Sequence, residues 1–179
     1  MKMAIREILK YPNPLLRKKA SPVTEFNAQL KELIADMAET MYAAPGVGLA
    51  ANQIGVLQQI VVLDVSHKEE KYKLIPLINP EILEGEGSVV DEEGCLSVVD
   101  YCANVERFSH IKVRARNVEG GKIEFEADGW FARVIQHEVD HLDGKLFIDH
   151  LSSLKRALYK KKRKKQLKEE QEQAANNDK

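Results

Sequence analysis

Cysteine is scarce in this 179-residue chain, which has only Cys95 and Cys102. Two thiols make no disulfide framework, so a disulfide-stapled secreted scaffold is excluded and a reducing, cytoplasmic compartment is expected. Long apolar runs are missing as well. None approaches the roughly 18 residues of a membrane-spanning helix, so no membrane partner is expected. The opening MKMAIREILKYP has no apolar core before Pro12 and no small-residue cleavage signal, so it does not read as a signal peptide. No internal repeat and no Gly/Ser linker divides the chain. Net charge is also nearly absent, at -1, which on its face argues against a nucleic-acid binder. That sum is a cancellation. Residues 1–154 carry 17 basic and 24 acidic side chains, whereas residues 155–179 carry 10 basic and 4 acidic. The chain therefore divides into an acidic body, residues 1–151, and a basic C-terminal helix and tail, residues 152–179.

The body is long enough, and at 44% hydrophobic apolar enough, to bury a core of its own. Leu30, Leu33, Ile34, Met37 and Met41 recur at helical spacing and predict a helix over 27–43, stopped by Pro45-Gly46. The Gly- and Ala-rich stretch from Gly46 to Gly55 reads as a loop or irregular extended segment. Gln59–Val65 is a β-branched strand, and Leu74–Asn79 is another, closed by Pro80. Further β signals lie in Val89–Val99. Ile111–Arg116 and Lys122–Ala127 alternate around Val118-Glu119-Gly120-Gly121 and predict a hairpin with one solvated face. Asp128–Asp143 reads as a second helix capped by Gly144, with Trp130, Val134, His137 and His141 along one face. Arg133, between Ala132 and Val134, is expected at solvent or a polar edge.

The segment His137-Glu138-Val139-Asp140-His141 has the H-E-x-x-H pattern on that helix. Successive helical residues turn by about 100°, so both imidazoles project from one face and can share one metal ion. Glu138 emerges beside them, placed to take a proton from a water. A catalytic site of this kind needs a third protein ligand. Phe147 stands where one extended form of the pattern has histidine. The downstream glutamates, Glu169, Glu170 and Glu172, lie in the polar tail, and His150 would have to fold back. An endopeptidase of this type is therefore disfavoured. A structural zinc site in a nucleic-acid-binding protein is disfavoured too, because it would be closed by four ligands. The remaining candidate lies upstream: Cys95, beside the permissive Gly94, could bring a thiolate from a strand edge. Cys102 reads as a partly buried residue. The expected fold class is α+β. Mostly antiparallel strands pack around a central metal-binding helix, with an N-terminal helix before them and a charged C-terminal helix after.

Three segments, GVGLAANQ (46–53), EGCLS (93–97) and QHEVDHLDG (136–144), resemble the peptide deformylase family in order and approximate spacing, and the likeness runs from about Ile5 to Leu151. The resemblance implies an enzyme that removes the formyl group from the N-terminal formylmethionine of newly made polypeptides. It implies one divalent metal, most often ferrous iron, with nickel, cobalt or zinc as substitutes. It assigns Cys95, His137 and His141 as metal ligands and Glu138 as general acid/base. It assigns Gln53 and the backbone N–H of Leu96 to the developing oxyanion. Gly46 and Gly48 would let the loop approach substrate, and Val47, Trp130 and Val134 would wall the methionine pocket. Glu93 would accept the second N–H of a ligating histidine, steadied by Arg107. The chain departs from the family at Val99 and Asp100, where Pro and Gly are common. The run from Lys155 to Lys168 holds nine basic residues in fourteen, dense enough to bind phosphates of ribosomal RNA.

Overall fold

The computed structural model describes residues 4–177. Asn27 caps α1 (Ala28–Ala43) by accepting a hydrogen bond from the Leu30 N–H. Its apolar stripe of Leu30, Ile34, Met37 and Met41 is buried. The Gly46–Gly55 stretch is only partly irregular. It opens as strand β1 (Gly48–Ala50) and then tightens into a 3-10 turn, Ala51–Ile54. Strand β2 (Ile60–Leu63) is buried at every position because it is covered on both sides. Ile60 and Val62 pack toward α1, whereas Val61 and Leu63 pack toward the second helix.

Strand β3 runs from Ile75 to Glu86, so Pro80 does not close it. The pairing register shifts between Ile78 and Glu81, and that bulge accommodates the proline's missing N–H. Strand β4 (Val89–Cys95) and strand β5 (Val98–Arg107) form a separate two-stranded ribbon, turned at Leu96-Ser97. Strands β6 (His110–Arg116) and β7 (Lys122–Asp128) form the predicted hairpin. Ile111, Val113 and Ala115 face the core, and Lys112 and Glu124 pair on the solvated face. The main sheet is antiparallel throughout, in the order β1-β2-β3-β6-β7.

Helix α2 (Gly129–Leu142) packs Phe131, Ile135 and Leu142 against this sheet and turns its other side to the β4–β5 ribbon. Gly144 ends it at φ +72°; a Cβ there would lie 2.5 Å from the Arg17 carbonyl oxygen. Helix α3 (Ser153–Asn177) carries the basic run. It is more than a solvated helix, because Tyr159 and Arg163 are buried. The Tyr159 ring stacks on Tyr101 at 4.8 Å and meets Tyr11 at 5.8 Å. At the family departure, Asp100 adopts a left-handed φ of +51°. Its carbonyl accepts from Lys162 of α3 at 2.8 Å. Two further expectations need correction. Cys102 is exposed, with its sulfur lying over Gly94. Arg133 is buried, because it reaches partners on the ribbon. Among the described residues no helix is long and apolar enough to cross a membrane.

Candidate metal centre and reaction pocket

Helical spacing on α2 sets the His137 and His141 rings 5.0 Å apart, centroid to centroid. The end of β4 brings Cys95 to them, with Sγ 3.2 Å from His141 Nε2. One donor atom from each of Cys95, His137 and His141 lies within 4.8 Å of the others. One thiol and two imidazoles make a borderline-soft set that suits a transition-metal dication and leaves a fourth position for water. His150 does not join them; its Nε2 lies 2.7 Å from Asp140 Oδ2.

The electrostatics of the cluster's own residues favour a thiolate. Burial pushes the Cys95 thiol up, but His141 and His137 beside it outweigh burial and hold it well below its ordinary value. The Ser97 N–H points at Sγ from 3.4 Å and Gln53 Nε2 from 3.7 Å. Burial alone would push His137 down, but hydrogen bonds to Cys95 and Glu93 raise it well above its ordinary value.

Glu93 is the hub behind His137. Its Oε2 lies 3.0 Å from His137 Nδ1, and its Oε1 accepts from Arg107 Nε at 2.9 Å and Arg133 Nη1 at 2.6 Å. Burial raises the Glu93 carboxyl, yet His137 and Arg107 lower it to about 2. Arg107 also donates to Asp140 Oδ2 at 2.5 Å. Sequence reasoning found Glu93 and Arg107 but missed Arg133 and Asp140. The available signal for Arg133 was one cation among Phe131, Ala132, Val134 and Ile135, in the apolar half of the helix.

Glu138 is 4% exposed, and among the described residues its Oε2 has no hydrogen-bond partner. Burial pushes its carboxyl up. Gly48 makes room for it, because a Cβ at that position would stand 2.4 Å from Glu138 Oε1. Gln53 is equally enclosed. Its Oε1 accepts from the Ala50 N–H at 2.9 Å, which fixes the amide so that Nε2 faces the ribbon turn, 3.1 Å from Ser97 Oγ. A cavity of about 330 Å³ opens over these groups. Gly46, Val47, Gly48, Trp130 and Val134 form its walls, and Gln53, Cys95, Leu96, His137 and Glu138 also reach it. His141 is almost fully buried beneath.

The arrangement defines a class: an enzyme with a buried, helix-borne carboxylate beside a three-donor cluster, opening on a small, mostly apolar pocket. Comparison with known proteins narrows that class. The polypeptide deformylase family profile matches residues 5–157. The peptide deformylase of Thermodesulfovibrio yellowstonii is 50% identical over 160 residues, covering 89% of this chain and 97% of that protein. That of Desulfotalea psychrophila is 52% identical over 161 residues, covering 89% and 95%. The crystal structure of a peptide deformylase from Legionella pneumophila superposes with a TM-score of 0.84 at 43% identity, covering 92% of this chain and 98% of that one. The chain belongs to the polypeptide deformylase family, enzymes that remove the N-terminal formyl group from polypeptides.

Proposed function

We propose that this chain deformylates the N-terminal formylmethionine of newly made polypeptides in the cytoplasm, using one divalent metal ion held by Cys95, His137 and His141. The observation that carries the reading is a buried Glu138 carboxylate oxygen, without a partner among the described residues, beside three convergent donor atoms. An ion held there supplies a Lewis acid that brings the pKa of a water toward neutrality. Ferrous iron suits the thiolate best, with nickel, cobalt or zinc as substitutes.

The chain's own residues carry the proton and the charge. Glu138, raised by burial, takes a proton from the attacking water and gives it to the departing amine. The Gln53 Nε2–H and the Leu96 N–H donate to the formyl oxygen as negative charge develops on it; one such donor is worth about 2.7–4 kcal/mol. Val47, Trp130 and Val134 offer apolar surface to the methionine side chain, and Gly46 leaves space beside it. Glu93 accepts the Nδ1–H of His137, leaving Nε2 free for the ion, and Arg107 and Arg133 keep Glu93 ionised.

Exposed basic residues of α3 within 155–168 supply charge for ribosomal RNA. Changing Lys160, Lys161, Lys164 and Lys165 to glutamate, with Tyr159 and Arg163 intact, should abolish ribosome co-sedimentation at low salt; unchanged binding would remove this part of the reading.

Metal removal tests the whole. Chelation should abolish formate release from a formyl-methionyl peptide, and added ferrous or nickel ion should restore it. Cys95→Ala should bind less than one ion per chain and regain little activity. Full activity after exhaustive chelation would refute a metal-dependent reaction.

A further inference from the structure

The two donors assigned to the formyl oxygen belong to segments far apart in the chain. Gln53 sits in the 3-10 turn Ala51–Ile54, and Leu96 sits in the turn between β4 and β5. The β4–β5 ladder shifts register between Glu93 and Cys95, and beyond the shift a single pair, Cys95 with Val98, closes the Leu96 turn. Three consecutive residues near the N-terminus fasten the two segments together. The Leu9 N–H donates to the Gln53 carbonyl at 2.7 Å, and the Tyr11 N–H donates to the Ser97 carbonyl at 2.8 Å. Between them, Lys10 Nζ donates to the Leu96 carbonyl. None of the three lines the cavity.

This strap is itself held from outside. Arg163 of α3 donates from Nε to the Tyr11 carbonyl at 3.0 Å. Its guanidinium is buried, and Nη1 is fixed by Glu170 at 2.7 Å. The Tyr11 ring meets Tyr159 of α3 at 5.8 Å and the guanidinium of Arg17 at 5.5 Å. Tyr11 is thus bound through its N–H, its carbonyl and its ring.

We propose that the strap Leu9–Tyr11, locked by Arg163 of α3, is a clamp that sets the spacing of the Gln53 and Leu96 donors. This rests on the reading of those two groups as the oxyanion donors. Such donors act because they are aimed before the reaction starts, and a misplacement of about 1 Å costs about a hundredfold in rate. Lys10 and Arg163 are positioning residues, acting through the strap and touching no reacting atom. The basic C-terminal helix therefore serves the pocket through its buried face, separately from its exposed lysines.

The test uses the full-length, metal-loaded protein and a formyl-methionyl peptide. Lys10 is exposed, so Lys10→Met leaves the core intact; Arg163→Met probes the lock from the other side. Both should lower kcat about tenfold, as loosened rather than deleted donors, with KM and metal content within about twofold of the parent. Lys10→Arg should restore the rate. In a Gln53→Ala background the effect of Lys10→Met should shrink to under about threefold, because a shared route makes the losses sub-additive. Parental kcat in both single variants, with Gln53→Ala slowed, would overturn the clamp alone. A fall in rate explained by metal loss, or by KM with kcat unchanged, would also overturn it. Parental kcat in Gln53→Ala would overturn the underlying oxyanion reading.

Discussion

Glu93→Gln is the most informative perturbation of the framework behind the metal centre. The substitution keeps the side chain's shape and removes its charge. Glu93 is only 5% exposed and faces two guanidiniums, Arg107 and Arg133, that are 7% and 3% exposed. Neutralising it leaves both cations buried with an amide that can satisfy only part of their demand. Breaking a buried ion pair by removing one partner costs about 3–5 kcal/mol. The acidity of the group gives a second route to the magnitude. A carboxyl held at about 2 against its ordinary 4.5 corresponds to about 3 kcal/mol in favour of the ionised folded state. The sign follows from the depressed value: this stabilisation is present above pH 4.5 and is lost as pH falls toward about 2. For a chain of this size, about 3 kcal/mol lowers Tm by about 6–12 °C. Calorimetry of chelator-treated protein at neutral pH separates this effect from metal binding. In a parallel titration, the variant should bind the ion about 10–100-fold more weakly, because His137 loses the carboxylate that orients it. A chelator-treated variant melting within about 2 °C of the parent at neutral pH would mean that the Glu93 charge does not hold the two guanidiniums.

Other expectations follow from the same contacts. Gly48→Ala should lower kcat by at least about a hundredfold with Tm nearly unchanged, because the new Cβ takes the space of the Glu138 carboxylate; steady-state kinetics beside a thermal melt would show it. Tyr159→Ala should cost about 3–5 kcal/mol in urea unfolding, since it empties a core site 1% exposed; a loss below about 1 kcal/mol would mean that α3 is not anchored there. Cys102→Ser should leave metal content and rate at parental values, because its thiol is exposed and outside the donor cluster.

The elements that carry strong periodicity were legible in the sequence. The stripe of α1, the β6–β7 alternation and the H-E-x-x-H spacing on α2 are all local patterns, and each appears where the pattern places it. The donor triad was readable because an unfilled ligand position directed attention to Cys95. What was not readable depends on distant partners. Arg133 looks like a surface residue from its helix neighbours. It is buried because Glu93 and the Val89 and Val105 carbonyls, between 28 and 44 residues away, receive it. Pro80 reads as a strand terminator until the bulge that admits it is seen. The charge run of α3 conceals the anchoring of Tyr159 and Arg163, whose partners Tyr11 and Tyr101 lie far back in the chain.

In the proposed reaction Glu138 moves the proton while Cys95, His137 and His141 hold the ion. Formate release from a formyl-methionyl peptide, compared between the metal-loaded parent and Glu138→Gln at equal metal content, tests it most directly. The parent should be active and the variant slowed by at least about a hundredfold, the contribution of a positioned acid/base group. An inactive metal-loaded parent, or a Glu138→Gln variant that retains full activity, would contradict it.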